Sequence, residues 1–347
     1  MILLLGASGY VGRAFSSELR RRRWSFIPLS RQAIDYTSFD VLFEYAVKMK
    51  PEFVINAAGC APDPMDPCEP AREEVLCANA LLPQTIARVC LMTNTPWGHV
   101  SAGSIYIGAK VMTESGHPRI ERDLNRPEIR ALFARHPERI RGFTEWDEPN
   151  FTFRVAPCNF YSGTKALAEE AIHGMGEHYI WRPWMLFDGA DDSSNLIAKL
   201  LRHDRIYDSI NSITQLDEFV RACLDLWERR AAYGVYNVVN TGAITTRRIV
   251  ELVRKYLKPD RDIKFRERDE KFYNGATEVP WSHCVLDVSK LLAAGVKMRP
   301  VEEALTHSLK NWQRASPSWG HSTAGAETRN NTLNEVAVFD KMLPRPI

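Results

Sequence analysis

The sequence predicts an α/β protein, a doubly wound parallel sheet carrying a smaller C-terminal α/β lobe. Three observations predict it. Short apolar runs alternate with helical patterns through the first 180 residues, a glycine-rich turn joins the first run to the first helical pattern, and a weaker alternation resumes after residue 181. Alternation of this kind builds parallel sheets covered by helices on both faces. With 347 residues, 45% hydrophobic and 25% charged, the chain has a globular composition and ample material for a core.

Taken in order, Ile2–Leu5, Ser25–Leu29, Phe53–Asn56 and Trp97–Ser101 read as strands bounded by turn residues. Val11–Arg23, Ser38–Lys48 and Ala71–Met92 read as the helices between them. The basic run Arg20–Arg23 closes the first helix, where cations suit the negative end of the dipole. A further helix is expected from about Phe160, followed by a strand at Tyr179–Trp181. Residues 1–180 then form the first domain. Inside it Lys110–Pro157 breaks the rhythm, being long, charged and weakly periodic, with a helix expected within Arg119–Arg141. An insertion of that length is expected to be a lid or a mobile loop. From 181 to 315, the helical patterns Asp217–Arg230, Thr246–Tyr256 and Val301–Arg314 alternate with short strands such as Val235–Val239 and form the second lobe. Residues 316–347, rich in Ser, Thr, Asn and Gly, read as a weakly ordered tail or interaction arm.

A formal net charge of +2 provides no strong field toward nucleic acid or a membrane surface. Seven scattered cysteines (Cys60, Cys68, Cys77, Cys90, Cys158, Cys223, Cys284), odd in number and without a CxxC pair, argue against a disulfide framework or a zinc site. Met1–Leu5 is too short for a signal peptide, and no apolar run approaches the ~20 residues that span a bilayer. A cytoplasmic protein without a bound metal is expected.

Gly6-Ala7-Ser8-Gly9-Tyr10-Val11-Gly12 follows the first strand and opens the first helix. The first glycine permits a tight turn, the second lets backbone approach a pyrophosphate, and the third lets helix pack closely on strand. The helix N-terminus then offers free N–H groups and positive dipole to the phosphates. The turn therefore predicts a dinucleotide site. An NAD site would place Asp or Glu at the end of the second strand for the ribose 2′-OH. Ser30 and Arg31 stand there instead, and a hydroxyl followed by a guanidinium suits a 2′-phosphate. NADP is the expected cofactor, with NAD as the alternative.

Tyr161 and Lys165 are four residues apart at the start of a helical pattern, which puts both on one face. A neighbouring ammonium favours tyrosinate and lowers a phenol from about pKa 10 toward neutrality. Such a tyrosine can exchange a proton with a carbonyl or alcohol oxygen while a nicotinamide moves hydride.

Together these residues resemble the extended short-chain dehydrogenase/reductase superfamily, and within it the dTDP-4-dehydrorhamnose reductase-like branch, over residues 1–312. The resemblance implies a Rossmann-type fold. It further includes Asp35 and Tyr36 after the second strand, where the family contacts adenine, and Asn56-Ala57-Ala58-Gly59, similar to a segment lining the cofactor. Asn79 matches an asparagine that shapes the active site, and Arg182-Pro183 a segment that backs the nicotinamide. Asp217-Glu218-Phe219 and Leu286–Leu291 resemble two later segments. The activity implied is reduction of the 4-keto group of a nucleotide-linked deoxysugar, with Tyr161 as proton donor and Lys165 orienting the cofactor ribose. Tyr106 and Asn195 stand where the superfamily meets substrate, and the resemblance implies a homodimer. Phe272, Asn274 and Trp281 offer a sugar-pocket lining or core packing.

One position departs from the family. Its active-site Ser or Thr falls at Ala102, which has no hydroxyl. Side chains alternate along a strand, so Ser104 shares a face with position 102 and Ser101 points away, provided the strand persists. Ser104 is the expected substitute. Two other readings stay open: a sugar-nucleotide epimerase of the same superfamily, and a non-catalytic NADP-binding regulatory subunit. Gly103-Ser104 lack the Asp-Glu pair of a dehydratase.

Overall fold

Leu3, Leu4 and Leu5 are fully buried, and a strand with both faces covered is what a continuous apolar run without alternation builds. Each such side chain contributes about 1.5–3 kcal/mol by leaving water. The computed structural model describes residues 1–60, 72–203, 205–259, 262–265 and 282–313. Six strands form its main sheet: β1 (Ile2–Leu5), β2 (Phe26–Leu29), β3 (Phe53–Asn56), β4 (Trp97–Val100), β5 (His178–Arg182) and β6 (Gly234–Asn237). All pairings are parallel, and the spatial order is β2-β1-β3-β4-β5-β6. In register, Leu5 faces Leu29 on one side and Asn56 on the other. The chain runs outward from β1 in both directions, so the crevice between the β1 and β3 C-terminal ends is the topological switch point where such sheets take ligands.

Helices cover both faces. On one, Phe15 and Leu19 of α1 (Tyr10–Arg22) pack with Phe53, Trp181 and Phe219. On the other, Leu42 and Ala46 of α2 (Phe39–Met49), Ile86 and Val89 of α3 (Leu82–Met92) and Ile172 of α4 (Phe160–Ile172) pack with Val54 and Trp97. Each of the expected early strands and helices is present within two residues of its expected ends, with one difference. The expected helix Ala71–Met92 is interrupted, running as an α-helical turn at Arg72–Leu76, a π-helical turn at Cys77–Leu81, and then α3. Arg72–Met92 also reaches 21 residues and is long and apolar enough to cross a bilayer by length and composition, contrary to the expectation from the sequence. Half of its most apolar stretch is buried inside the protein, as in a core helix.

The insertion is folded rather than a loose lid. Ala109–Met112, Pro118–Glu121 and Ile140–Arg141 form a three-stranded antiparallel sheet beside the helix Pro127–Arg135. Ala109, Val111, Leu124, Ile129 and Ile140 close a small core with Ile210 and Val285, and Phe143 and Phe151 are fully buried. Local hydrophobic content was enough for a core, but its partners lie far along the chain.

Beyond residue 181, α5 (Leu196–Arg202), α7 (Thr246–Leu257) and α8 (Val301–Lys310) surround a cluster of Phe187, Ile197, Ile249, Val253 and Leu305. α6 (Leu216–Glu228) and β6 return to the main sheet, so this lobe is interleaved with the first. Met1–Gln313 form one compact unit. The expected tail at 316–347 and the pocket candidates Phe272, Asn274 and Trp281 lie outside the described residues.

Candidate active site

The glycine turn occupies the β1 end of the switch point. Gly6 has φ +74° and lies against the loop after β3, since a Cβ on it would meet the Ala58 nitrogen at 2.5 Å. A Cβ on Gly12 would meet the Gly6 carbonyl oxygen at 2.0 Å, so α1 packs directly on the turn. Gly9 differs. A Cβ there would meet only the Gly6 oxygen, at an ordinary 3.5 Å, and the residue is exposed. Gly9 also caps α1 without any side-chain hydrogen bond. The first helical N–H groups thus open onto a face where only a hydrogen occupies the Cα, which fits a dinucleotide pyrophosphate. Ser8 is exposed, Tyr10 and Val11 are half-buried, and Arg13 ties the Ser8 carbonyl to Asp192 at 2.8 and 2.6 Å.

At the end of β2, Ser30 is half-buried and Arg31 exposed. Asp35 is exposed and accepts from the Thr37 backbone N–H at 3.1 Å and from its hydroxyl, bonds that hold its carboxyl below the usual range. Tyr36 is buried. After β3, Ala57 and Ala58 are half-buried and Gly59 is exposed, so this stretch can face a ligand. The Asn56 side chain cannot reach one. It accepts from the Ala58 N–H at 3.1 Å, contacts His99 Nδ1 at 3.0 Å and is wholly buried, so it shapes the loop. Asn79 works the same way from the π-helical turn. Its Oδ1 accepts from the Cys60 N–H at 2.9 Å and its Nδ2 donates to the Cys60 carbonyl at 2.8 Å, with Thr164 Oγ at 3.4 Å. π-helical turns recur at functional sites; this one aims an amide at the loop after β3.

Helix α4 begins at Asn159, whose side chain accepts from the Ser162 N–H at 2.7 Å. Tyr161 and Lys165 fall on its first turns. Lys165 Nζ donates to the Val100 carbonyl at 3.1 Å and sits 6.0 Å from the Tyr161 ring centroid. Burial pulls Lys165 down to about 8, with Glu169 and Cys60 working against that fall. Burial pushes the Tyr161 phenol above its ordinary value, and nearby Cys60 adds to the rise. The direction is opposite to the expected lowering, because desolvation raises the phenol while Lys165 is committed to the Val100 carbonyl.

Past β4, Ala102 is still extended (φ −156°, ψ 145°), but Gly103–Ile105 curl into a 3-10 turn. Alternation therefore does not carry to Ser104, and the choice between serines rests on their partners. Ser101 Oγ donates to Glu169 at 2.5 Å. The Ser104 hydroxyl is buried and has no hydrogen-bond partner among the described residues.

Three expected contacts are internal instead. Arg182 is buried, pairs with Glu169 through two nitrogens (Nη2 at 2.5 Å, Nε at 3.0 Å) and donates to the Tyr106 hydroxyl at 3.0 Å. Its side chain backs the sheet, not a nicotinamide. Tyr106 is fully buried, stacked on Phe143 at 4.7 Å, and donates to the Asp147 carbonyl at 2.7 Å, so it cannot touch substrate. Asn195 caps α5, accepting from the Ile197 N–H at 2.9 Å and donating to the Asp188 and Ala190 carbonyls. A capping asparagine with both ends committed has nothing left for a sugar. Sequence reasoning missed Glu169; the signal was its position four residues beyond Lys165. It also missed Trp184, half-buried beside the Ser104 turn, where a Cβ on Gly103 would meet its Cβ at 3.1 Å.

The family model described as RmlD substrate binding domain matches residues 1–314. A bifunctional dTDP-4-dehydrorhamnose 3,5-epimerase/dTDP-4-dehydrorhamnose reductase of Arabidopsis thaliana is 26% identical over 305 residues, 87% of this chain and 90% of that protein. Against three longer trifunctional relatives the chain spans only 28 to 40% of their length. Among solved structures, a UDP-rhamnose synthase from Acanthamoeba polyphaga mimivirus superposes with TM-score 0.70 at 19% identity, covering 89% of this chain and 98% of that one. A dTDP-4-dehydrorhamnose reductase from Bacillus anthracis, in complex with NADP, gives 0.65 at 18%, covering 88% and 96%. The doubly wound sheet agrees with these structural likenesses, and with a model matched over nearly the whole described chain, the protein belongs to the RmlD substrate-binding domain family.

Proposed function

We propose that the chain is an NADPH-dependent reductase of the 4-keto group of a nucleotide-linked 6-deoxysugar. The observation that carries it is a half-buried Tyr161 whose ring lies 6.0 Å from Lys165 Nζ at the C-terminal edge of the sheet, next to the loops that follow β1 and β3. Bound NADPH supplies the hydride. Gly6–Gly12 would hold its pyrophosphate, Ser30 and Arg31 its 2′-phosphate, Asp35, Tyr36 and Ala57–Gly59 its adenosine side, and Lys165 its nicotinamide ribose. Tyr161 delivers the phenolic proton to the C4 oxygen as that oxygen gains charge, and Ser104 stabilises the oxygen by a hydrogen bond. The relatives named for this reduction support the substrate class. Cytoplasmic residence and a homodimer belong to the same proposal.

The test incubates the protein with NADPH and a dTDP- or UDP-linked 4-keto-6-deoxyhexose, following absorbance of the reduced cofactor and the sugar product together. One NADPH oxidised per alcohol formed is the expected result. Product without net oxidation makes it an epimerase. Ala102 favours a second reading, a regulatory subunit, which would bind NADP tightly and turn over neither sugar.

Two substitutions sharpen the assignment. Ser104→Ala is expected to lower kcat about 100-fold or more, the scale of one lost oxyanion donor, while Ser101→Ala costs far less; the reverse order would reassign the hydroxyl. Arg31→Ala is expected to raise KM for NADPH about tenfold or more, the scale of one charge-assisted hydrogen bond, and to leave KM for NADH unchanged. Equal effects on both cofactors would remove Arg31 from the 2′-phosphate.

A further inference from the structure

Helix spacing repeats once more beyond the Tyr–Lys pair. Glu169 follows Lys165 by four residues, so Tyr161, Lys165 and Glu169 form one stripe along α4. The stripe docks on consecutive residues of one strand end. Lys165 Nζ donates to the Val100 carbonyl, and the next residue, Ser101, donates its hydroxyl to Glu169 at 2.5 Å. From the neighbouring strand Arg182 closes on the same carboxylate at 2.5 and 3.0 Å. Glu169 and Arg182 are both almost wholly shielded, with side chains 9% and 5% exposed. The carboxylate is thus clamped from two strands directly beneath the active-site lysine.

A clamp of this kind does more than join helix to sheet. Arg182 makes a second bond, to the buried Tyr106 hydroxyl, so it would stay anchored without Glu169. Ser101 could likewise bond to backbone. What only Glu169 provides is a fixed negative charge one turn from Lys165. The other groups facing that lysine are Tyr161 on its own helix, Cys60 from the loop after β3, and His99 on β4. His99 is wholly buried and held below its ordinary value, and the Cys60 thiol is held above its own, so both are neutral. Tyr161 is neutral for the reason given above. Glu169 is the one standing anion of the set.

Resting on the reading that Lys165 and Tyr161 are catalytic, we propose that Glu169 is a positioning residue, clamped by Ser101 and Arg182 so that its carboxylate stays one helical turn from Lys165 and favours the charged amine that the Val100 carbonyl holds in place. It touches neither cofactor nor substrate and acts through Lys165. Burial alone drives that lysine toward its neutral form, and an amine without charge loses its electrostatic hold on both the ribose and the reacting oxygen. The sign follows directly. An anion favours the ammonium, so removing it lowers the pH at which Lys165 loses its proton, and the alkaline limb of activity moves to lower pH.

Glu169→Gln keeps the shape of the clamp and removes its charge. The test measures two quantities on the full chain: the Lys165 titration in cofactor-free protein, by NMR of ¹³Cε-labelled lysine, and the pH profile of kcat/KM for NADPH with the 4-keto-6-deoxyhexose nucleotide. Both midpoints are expected to fall by about one pH unit or more, the scale of losing one close opposite charge. Midpoints equal to those of the unsubstituted protein overturn the proposal, even if kcat drops, because a merely structural role would lower activity without moving them. Should Glu169→Gln fail to fold with Arg182 left unpaired, the double variant Glu169→Gln/Arg182→Met removes both buried charges and must still lower the lysine midpoint, by less because the lost cation offsets part of the lost anion, and a midpoint that does not fall overturns the proposal. A Tyr161→Phe control separates the two readings. Full activity in that control defeats the catalytic assignment, while the lysine titration still decides the role of Glu169.

Discussion

Tyr161→Phe is expected to lower kcat between about 100- and 10,000-fold, the range contributed by a positioned general acid, while the affinity for NADPH stays near that of the unsubstituted protein. The ring fits because Phe removes one oxygen and nothing else. Helix α4 keeps its cap at Asn159, and Lys165 keeps its bond to the Val100 carbonyl, so the groups proposed to hold the cofactor stay where they are. What disappears is the only proton donor assigned to the C4 oxygen. Burial holds the Tyr161 phenol above its ordinary value, so the group is protonated throughout the working range and suits reduction. The reverse reaction needs the phenolate and should accelerate as pH rises. Steady-state kinetics with NADPH and a nucleotide-linked 4-keto sugar, beside calorimetric titration of NADPH, separates the two effects. Retained turnover would remove Tyr161 from the chemistry, and a parallel loss of binding would show that the phenol holds the cofactor.

The parts legible in the sequence were those set by local rules. β1 and β3 were bounded to the residue because an unbroken apolar run flanked by turn residues has no other register to choose. The glycine turn and the Tyr161–Lys165 spacing were legible because each packs its chemistry into a few consecutive residues. Long-range partners decided the rest. Tyr106, Arg182 and Asn195 carry polar groups that could serve a ligand equally well, and only the fold reveals that Phe143, Asp147, Glu169 and Asp188 have taken them. Lys110–Pro157 looked loose because its apolar residues are spaced too irregularly to show a period. They find their core with Ile210 and Val285, which no local pattern could announce. The sign of the Tyr161 shift failed for the same reason, since spacing reports a neighbouring charge but not the burial that opposes it.

The glycine turn supports the second large prediction, a contrast between Gly9→Ala and Gly12→Ala. Both substitutions add one methyl group to the same seven-residue turn, and at Gly12, inside α1, helix propensity alone would favour alanine by about 1 kcal/mol. Space separates them. At Gly12 the methyl would lie 2.0 Å from the Gly6 carbonyl oxygen and 2.8 Å from the Ala7 Cα, both backbone atoms that move only if α1 lifts from β1. Overpacking against backbone costs about 1–3 kcal/mol, occasionally more. Set against the opposing propensity term, a net loss of up to about 2 kcal/mol and a fall in Tm of roughly 3 °C are expected for a chain of this size. At Gly9 the methyl meets only an ordinary contact at 3.5 Å and otherwise faces solvent, so the folded protein should accept it. The methyl would instead stand where the pyrophosphate must approach the uncapped N–H groups of α1. Gly9→Ala is therefore expected to keep Tm and lose at least about tenfold in NADP affinity, the equivalent of one lost charge-assisted hydrogen bond. Gly12→Ala should lose both. Thermal melts with and without NADP, together with calorimetric titration, read the two quantities separately. An unchanged affinity in Gly9→Ala would move the phosphates away from this turn, and an unchanged Tm in Gly12→Ala would show that helix and strand do not meet as closely as the 2.0 Å approach requires.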